Sequence, residues 1–273
     1  MNDEMKNRPH HGPQGGPPGR GPMKTEVVAQ GNDIYDITGM VHQYLIVGKE
    51  KALLIDTGMG TGRIRPLIEQ VTKLPIVLIN THGHPDHAGG NAEFDTPAYM
   101  CPDDFDVFEK MATKEFRLDE LSAHRSREEV EKELQPTAQH PVAIEDGAVI
   151  DLGGRTVKVI YTPGHTHGSL SVYDEETGYM FVGDNAMSRR TSLHEWCSSP
   201  LSVFISSLEK IKSYGPVRLY SGHDPKYSEP ELLDRLIACA GEILNGAQGE
   251  LDNIRGTEAY VYGLISYVED KVN

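Results

Sequence analysis

From Thr25 onward, short apolar runs rich in β-branched and aromatic residues stop repeatedly at Gly, Asn or Asp. Val27 to Ala29, Ile34 to Ile37 and Tyr44 to Val47 are predicted as strands on that pattern. Lys51 to Ile55 is a further apolar run, ending at Asp56-Thr57-Gly58. Ile64, Leu67, Ile68 and Val71 recur at helical spacing and predict a helix over Arg63 to Val71. Pro75 to Ile79 reads as a buried strand feeding Asn80-Thr81-His82. A strand that runs into a polar loop is where α/β proteins tend to place ligands. Further strands are predicted at Ala148 to Leu152, Thr156 to Tyr161, Ser169 to Tyr173, Tyr179 to Val182 and Val217 to Tyr220. Helices are predicted at Leu201 to Tyr214 and Glu229 to Leu244, with a last strand at Glu258 to Val268. Both halves run strands then helix, which fits two sheets with helices outside.

Two segments break this rhythm. Residues 1–22 are rich in Pro and Gly and offer nothing to bury, so a disordered tail is expected there, with the domain running from 23 to 273. His10 and His11 in that tail could bind a metal loosely, and membership of a disordered tail is their simpler reading. Residues 103–135 hold eleven acidic and six basic residues and are predicted as a charged helical insertion. Its position between motif-bearing loops also suits an element that covers a site.

Composition narrows the function. The chain has 273 residues, 38% of them hydrophobic, and a formal charge of −15. That charge disfavours nucleic acid and anionic membrane surfaces, which recruit Lys and Arg. No apolar run approaches the roughly 18 residues that span a bilayer, and the first residues lack a signal-peptide pattern. Cys101, Cys197 and Cys239 are too few and too scattered for a disulfide framework. A cytoplasmic protein acting on a small molecule is expected, and a homo-oligomer is compatible with it.

The chemistry concentrates in Thr81-His82-Gly83-His84-Pro85-Asp86-His87. Imidazoles and carboxylates are good ligands for zinc and similar borderline cations. His82 and His84 are two apart, so in an extended segment they point the same way and can share one ion. Pro85 and Ala88-Gly89-Gly90 suggest a turn into a helix, from which Asp86 and His87 address a second ion. Three later strand ends supply further donors: His165 in Thr162-Pro163-Gly164-His165, Asp184 in Phe181-Val182-Gly183-Asp184, and His223 in Tyr220-Ser221-Gly222-His223.

These residues resemble the metallo-β-lactamase-fold hydrolases from about Thr25 to the C-terminus. The first motif matches that family's His-x-His-x-Asp-His, and His165, Asp184 and His223 follow in its order. Asp56-Thr57-Gly58 matches a strand-end Asp whose usual job is to orient site residues. The resemblance implies an α/β fold, an αβ/βα four-layer sandwich of two mixed sheets with the site at one edge. It assigns one metal to His82, His84 and His165, another to Asp86, His87 and His223, and makes Asp184 the bridge. Two Zn²⁺ are expected, and iron or manganese suits the same donors.

A hydroxide held by two such cations is a nucleophile at neutral pH, so a hydrolase attacking a thioester or lactone carbonyl is implied. Asp86 would both ligate and relay a proton. Pro-Gly-His-Thr and the short length look most like glyoxalase II-like thioesterases, with lactonases next. Met187 stands where lactonases commonly carry Tyr, and no basic C-terminal helical region for glutathione is evident. Within the same fold, the alternatives are a mononuclear iron persulfide dioxygenase-like oxidoreductase and a phosphodiesterase or ribonuclease. Arg189 and Arg190 are candidate clamps for an anionic substrate, and surface ion pairs with the acidic insertion are their simpler reading. His194, Trp196 and Tyr227 are weaker candidates for a pocket wall. His42, His124, His140 and His167 are read as non-ligands.

Overall fold

The computed structural model describes residues 25–123, 125–254 and 257–272. The Pro/Gly-rich tail and His124 lie outside them. The first sheet is formed, in spatial order, by β1 (Val27–Gly31), β2 (Ile34–Ile37), β3 (Gln43–Val47), β4 (Ala52–Ile55), β5 (Ile76–Ile79), β6 (Ala98–Met100) and β7 (Val142–Ala143). It is antiparallel from β1 to β4 and parallel from β4 to β7. Helix α1 (Arg65–Val71) crosses from β4 to β5, and the short α2 (Pro85–Ala88) follows β5. The 103–135 segment holds three helices: α3 (Phe105–Met111), α4 (Lys114–Ser122) and α5 (Arg127–Glu133).

The second half supplies β8 (Val149–Asp151), β9 (Thr156–Tyr161), β10 (Leu170–Asp174) and β11 (Tyr179–Gly183). After β12 (Thr191–Leu193) and α6 (Leu201–Ser213) comes β13 (Arg218–Ser221), which completes a second sheet in the order β13-β11-β10-β9-β8. Helix α7 (Glu231–Leu244) and strands β14 (Glu250–Ile254), β15 (Thr257–Tyr262) and β16 (Ile265–Tyr267) end the chain.

The period-two alternation of the strands builds the layers. Leu45, Leu54 and Leu78 of the first sheet face outward onto Ile64 and Ile68. Tyr44, Ile46 and Leu53 face inward onto Val157, Val159 and Phe181 of the second sheet. Ile160, Met180 and Val182 point out the far side onto Leu208 of α6 and Leu233 and Leu236 of α7. Helix, sheet, sheet and helix are therefore held by three apolar seams, in which each buried Leu or Ile contributes roughly 1.5–3 kcal/mol.

The last part of the chain departs from the sequence reading in two ways. The last predicted strand is two strands, β15 and β16, because Gly263 (φ 54°) turns the chain between them. A third, four-stranded sheet, β12-β16-β15-β14, lies beyond the two expected. Among the described residues no helix is long and apolar enough to cross a membrane.

The fold brings the motif loops together at one edge. Strands β11 and β13 are parallel neighbours, so Asp184 and His223 leave the second sheet at the same end. The amide of Leu170 donates to the Thr81 carbonyl (2.8 Å) and ties the end of β5 to the start of β10 across the two sheets.

Candidate metal centre

Seven side chains predicted from sequence meet at that edge. Nε2 of His82 and Nε2 of His165 lie 3.1 and 3.0 Å from Nδ1 of His84. Nitrogens bound about 2.0–2.1 Å from one tetrahedral cation lie about 3.3 Å apart, so this spacing suits a shared ion. On the other side, Nε2 of His223 is 3.4 Å from Asp86 Oδ2, and His87 groups with both within 4.8 Å. Asp184 stands between the sets: 3.4 Å from His87 Nε2, 3.1 Å from His223 Nε2 and 3.7 Å from His165 Nε2.

Local sequence explains the convergence. His84 is the N-cap of α2, with extended backbone, and Pro85 opens that helix at the position Pro tolerates best. His82 and His84 thus project together before the chain turns, while Asp86 and His87 sit on the first turn. Gly222 is required by close approach, since a Cβ there would lie 2.6 Å from both Asp184 Oδ1 and His87 Cε1. Asp56 adopts φ 63°, a left-handed conformation that Asp tolerates better than most residues. From it, Oδ1 accepts the Thr81 amide (2.8 Å), and Oδ2 accepts the Thr81 hydroxyl (2.8 Å) and His87 Nδ1–H (2.8 Å).

The outer partners assign the tautomers. Asp56 takes the Nδ1 proton of His87, Thr81 Oγ1 takes that of His82 (3.1 Å), and the Ser192 carbonyl takes that of His165 (2.8 Å). The outer nitrogen of His84 is Nε2, which faces Glu195 Oε2 at 3.2 Å and Cys197 Sγ at 3.4 Å. Each ring therefore turns its remaining nitrogen toward the common point. Two buried polar atoms there, His87 Nε2 and Asp184 Oδ1, make no hydrogen bond and have only each other, at 3.4 Å. Burial without a partner is expensive for such atoms, and a divalent cation on a His and carboxylate donor set removes that penalty. The residues fit a metal centre.

Electrostatics agree. Burial lowers His165, and with His84 beside it the ring falls to about 4. Burial also opposes charge on His87, but Asp184, Asp56 and Asp86 outweigh it and raise the ring to about 10. Asp184 is the main cause lifting His223 to about 11. Asp86 and Asp184 stay below the usual carboxylate range despite burial, because His87 and His223 adjoin them. The cluster is a place for positive charge, carried by protons or by cations.

Arg189 and Arg190 are both exposed, and among the described residues neither makes an ion pair, with the insertion or elsewhere. His194 is buried, with Nδ1 3.1 Å from Ser266 Oγ. Trp196 is half exposed beneath Lys110 Nζ, 4.0 Å from its ring. Tyr227 stacks under Arg218, at 4.2 Å, and against Tyr220 in the core. His42 pairs with Asp36 (2.8 Å), His140 with Glu109 (3.1 Å), and His167 with Ser199 (3.3 Å).

Three residues at the site escaped sequence reasoning. Asp104 is fully buried and accepts from the Gly83 amide (2.7 Å), the Thr166 hydroxyl (2.8 Å) and the Gly168 amide (2.8 Å). Asn185 accepts the His165 amide (2.8 Å) and donates to the Thr162 carbonyl. Glu195 is the third.

The sequence pattern of the Metallo-beta-lactamase superfamily matches residues 36–223, which contain every candidate ligand. The human acyl-coenzyme A thioesterase MBLAC2 is 27% identical over 198 residues, 65% of this chain and 69% of the relative. An atrochrysone carboxyl ACP thioesterase from Aspergillus terreus is 26% identical, the match covering 86% of this chain and 63% of that one. The solved metallo-beta-lactamase from Pontibacter korlensis superposes with a TM-score of 0.61 at 18% identity, covering 80% of this chain and 99% of its own. With its motif order, its layered sheets and its clustered donors at their shared edge, the chain belongs to the metallo-beta-lactamase superfamily.

Proposed function

We propose that this protein is a metal-dependent hydrolase of acyl thioesters, with coenzyme A or a related pantetheine thiol as leaving group. The observation that carries the reading is the convergence of two donor sets on Asp184, with His82, His84, His87 and His165 each oriented by an outer partner. His82, His84 and His165 would hold one divalent cation and Asp86, His87 and His223 the second, with Asp184 shared and zinc the expected metal. The thioester preference draws support from relatives named as thioesterases, and a glyoxalase II-like or lactone substrate is the nearer alternative within the family.

When bound, the cations would polarise the thioester carbonyl and make water a nucleophile at neutral pH. The remaining work falls to the chain. Asp56 and Thr81 hold His87 and His82 at fixed angles, so donor positions need no rearrangement during reaction. Asp86 is the carboxylate open to solvent, its side chain 18% exposed against 7% for Asp184. It therefore suits proton relay: it takes the proton of the attacking water and passes it to the departing sulfur as the C–S bond breaks. The products are a thiol and a carboxylic acid, which releases its remaining proton to solvent and leaves as the carboxylate. Arg189 and Arg190 are free to meet the phosphates of an incoming coenzyme A, and replacing both by Ala should raise KM for such a substrate with metal content unchanged.

Metal analysis and a panel of acyl-coenzyme A thioesters, lactones and a β-lactam on one preparation test the reading. About two metal equivalents and thiol release that stops on chelation are expected. Full activity in metal-free protein, or a metal-loaded protein inert to every thioester, would refute it.

A further inference from the structure

We propose that Glu195 is a positioning residue of this centre, fixing His84 as the tautomer whose Nδ1 faces the first cation. The inference rests on the metal reading above. His84 differs from its neighbours in the ring nitrogen it turns inward. His82, His165 and His87 face the common point through Nε2, and their outer Nδ1 atoms find partners in Thr81, Ser192 and Asp56. His84 faces it through Nδ1, so its outer atom is Nε2, at the far end of the ring, where a partner must come from another segment.

Glu195 and Cys197 are that partner pair, at 3.2 and 3.4 Å. The two are not equivalent. An ionised carboxylate accepts strongly from an imidazole N–H, whereas a thiol is a weak acceptor. A carboxylate behind a metal-binding imidazole also raises the basicity of the ligating nitrogen. The segment that carries Glu195 is fastened to the loop of His165, so the carboxylate is aimed in advance. Ser198 Oγ donates to the His165 carbonyl (2.8 Å), the Ser199 amide to the Gly164 carbonyl (2.8 Å), and the His167 amide to the Cys197 carbonyl (2.7 Å). One loop thus orients His84 from the first motif and braces His165 from the second, which are two of the three donors to the same ion.

The test uses full-length protein and zinc alone. Chelator competition on wild type, Glu195→Ala, Glu195→Gln and Cys197→Ser should give a 10–100-fold weaker zinc Kd in the Ala variant. Glu195→Gln, which keeps an acceptor and loses the charge, should fall between, and Cys197→Ser should stay within about threefold of wild type. The visible bands of the cobalt-substituted protein should shift in Glu195→Ala, while the Tm of the chelated protein stays near wild type. Unchanged zinc affinity and cobalt bands in Glu195→Ala would overturn the proposal. So would an affinity loss matched by an equal fall in chelated-protein Tm, since that marks a merely structural role. If the Ala variant does not fold, the Gln variant decides, with wild-type zinc affinity counting against Glu195. Wild-type protein that takes up no cation would instead defeat the metal reading itself.

Discussion

Asp104 offers the sharpest test of how the centre is held. Its carboxylate receives three hydrogen bonds of 2.7–2.8 Å from the loop between His82 and His84 and the loop after His165. Replacing it by Ala leaves two buried amides without an acceptor and leaves the Thr166 hydroxyl only Ser169 Oγ (2.7 Å) in place of a carboxylate. Each unsatisfied group costs about 1–3 kcal/mol. Relief from burying a carboxylate, and water entering the space, offset part of that sum. A net loss of about 3–5 kcal/mol is expected, which for a chain of this size lowers Tm by roughly 6–20 °C. Asn is not a substitute, because its NH₂ must face either the Gly168 amide or the Gly83 amide, donor against donor, so a loss of about 1–3 kcal/mol remains. Thermal and urea unfolding of chelated and zinc-loaded protein reads both effects. Since the two loops carry His82, His84 and His165, the rise in Tm on adding zinc should also shrink. An Ala variant within 1 kcal/mol of wild type with an undiminished zinc increment would refute the reasoning.

Three other outcomes follow from the same geometry. Gly222→Ala places a methyl 2.6 Å from Asp184 Oδ1 and His87 Cε1, and should leave the fold intact while lowering metal content from about two equivalents toward one. Arg117 is fully buried and donates to the carbonyls of Met59, Gly89, Ala112, Thr113, Gln135 and Pro136, so Arg117→Met should destabilise by about 3–5 kcal/mol in urea unfolding. His87 and His223, raised to about 10 and about 11, carry protons at pH 7 when no cation is bound, so zinc binding should release at least two protons and tighten as pH rises. Calorimetry in buffers of different ionisation enthalpy measures that release, and a value near zero would contradict it.

What the sequence made legible was local. His82, His84, Asp86 and His87 announce themselves because strand, turn and helix bring neighbours in the chain to neighbouring positions in space. His165, Asp184 and His223 each follow an apolar strand, and the parallel pairing of β11 with β13 places the last two together. Asp104 could not be found that way. It sits in the run Asp103-Asp104-Phe105-Asp106, where composition predicts a solvated face, and only contacts 21 to 64 residues away distinguish it. Glu195 reaches a ring more than a hundred residues earlier, with nothing periodic to mark it. The short strands β6, β7 and β12 were missed for a related reason: two or three residues carry no alternation to read, and their pairing is set by the sheet they join.

Two of the unpredicted contacts also change what the insertion is. Its charge predicts a solvated helical insertion and its position also suits an element over the site, yet it is fastened at both ends. Asp104 locks its start to the loops of His84 and His165, and Arg117 joins Met59 and Gly89 to Gln135 and Pro136 at its close. The Gln135 amide adds a bond to the Gly60 carbonyl (2.8 Å), and Thr61 bridges Leu134. On the face toward the 194–199 loop, Lys110 lies over Trp196. Opening this element as a unit would break charge-assisted hydrogen bonds at each end, worth roughly 1.5–3 kcal/mol apiece, and those of Asp104 brace the loops that carry His82, His84 and His165. The acidic helices are therefore tied into the frame of the donor cluster, whereas Arg189 and Arg190, which follow Asp184 in the chain, are exposed and carry no such tie.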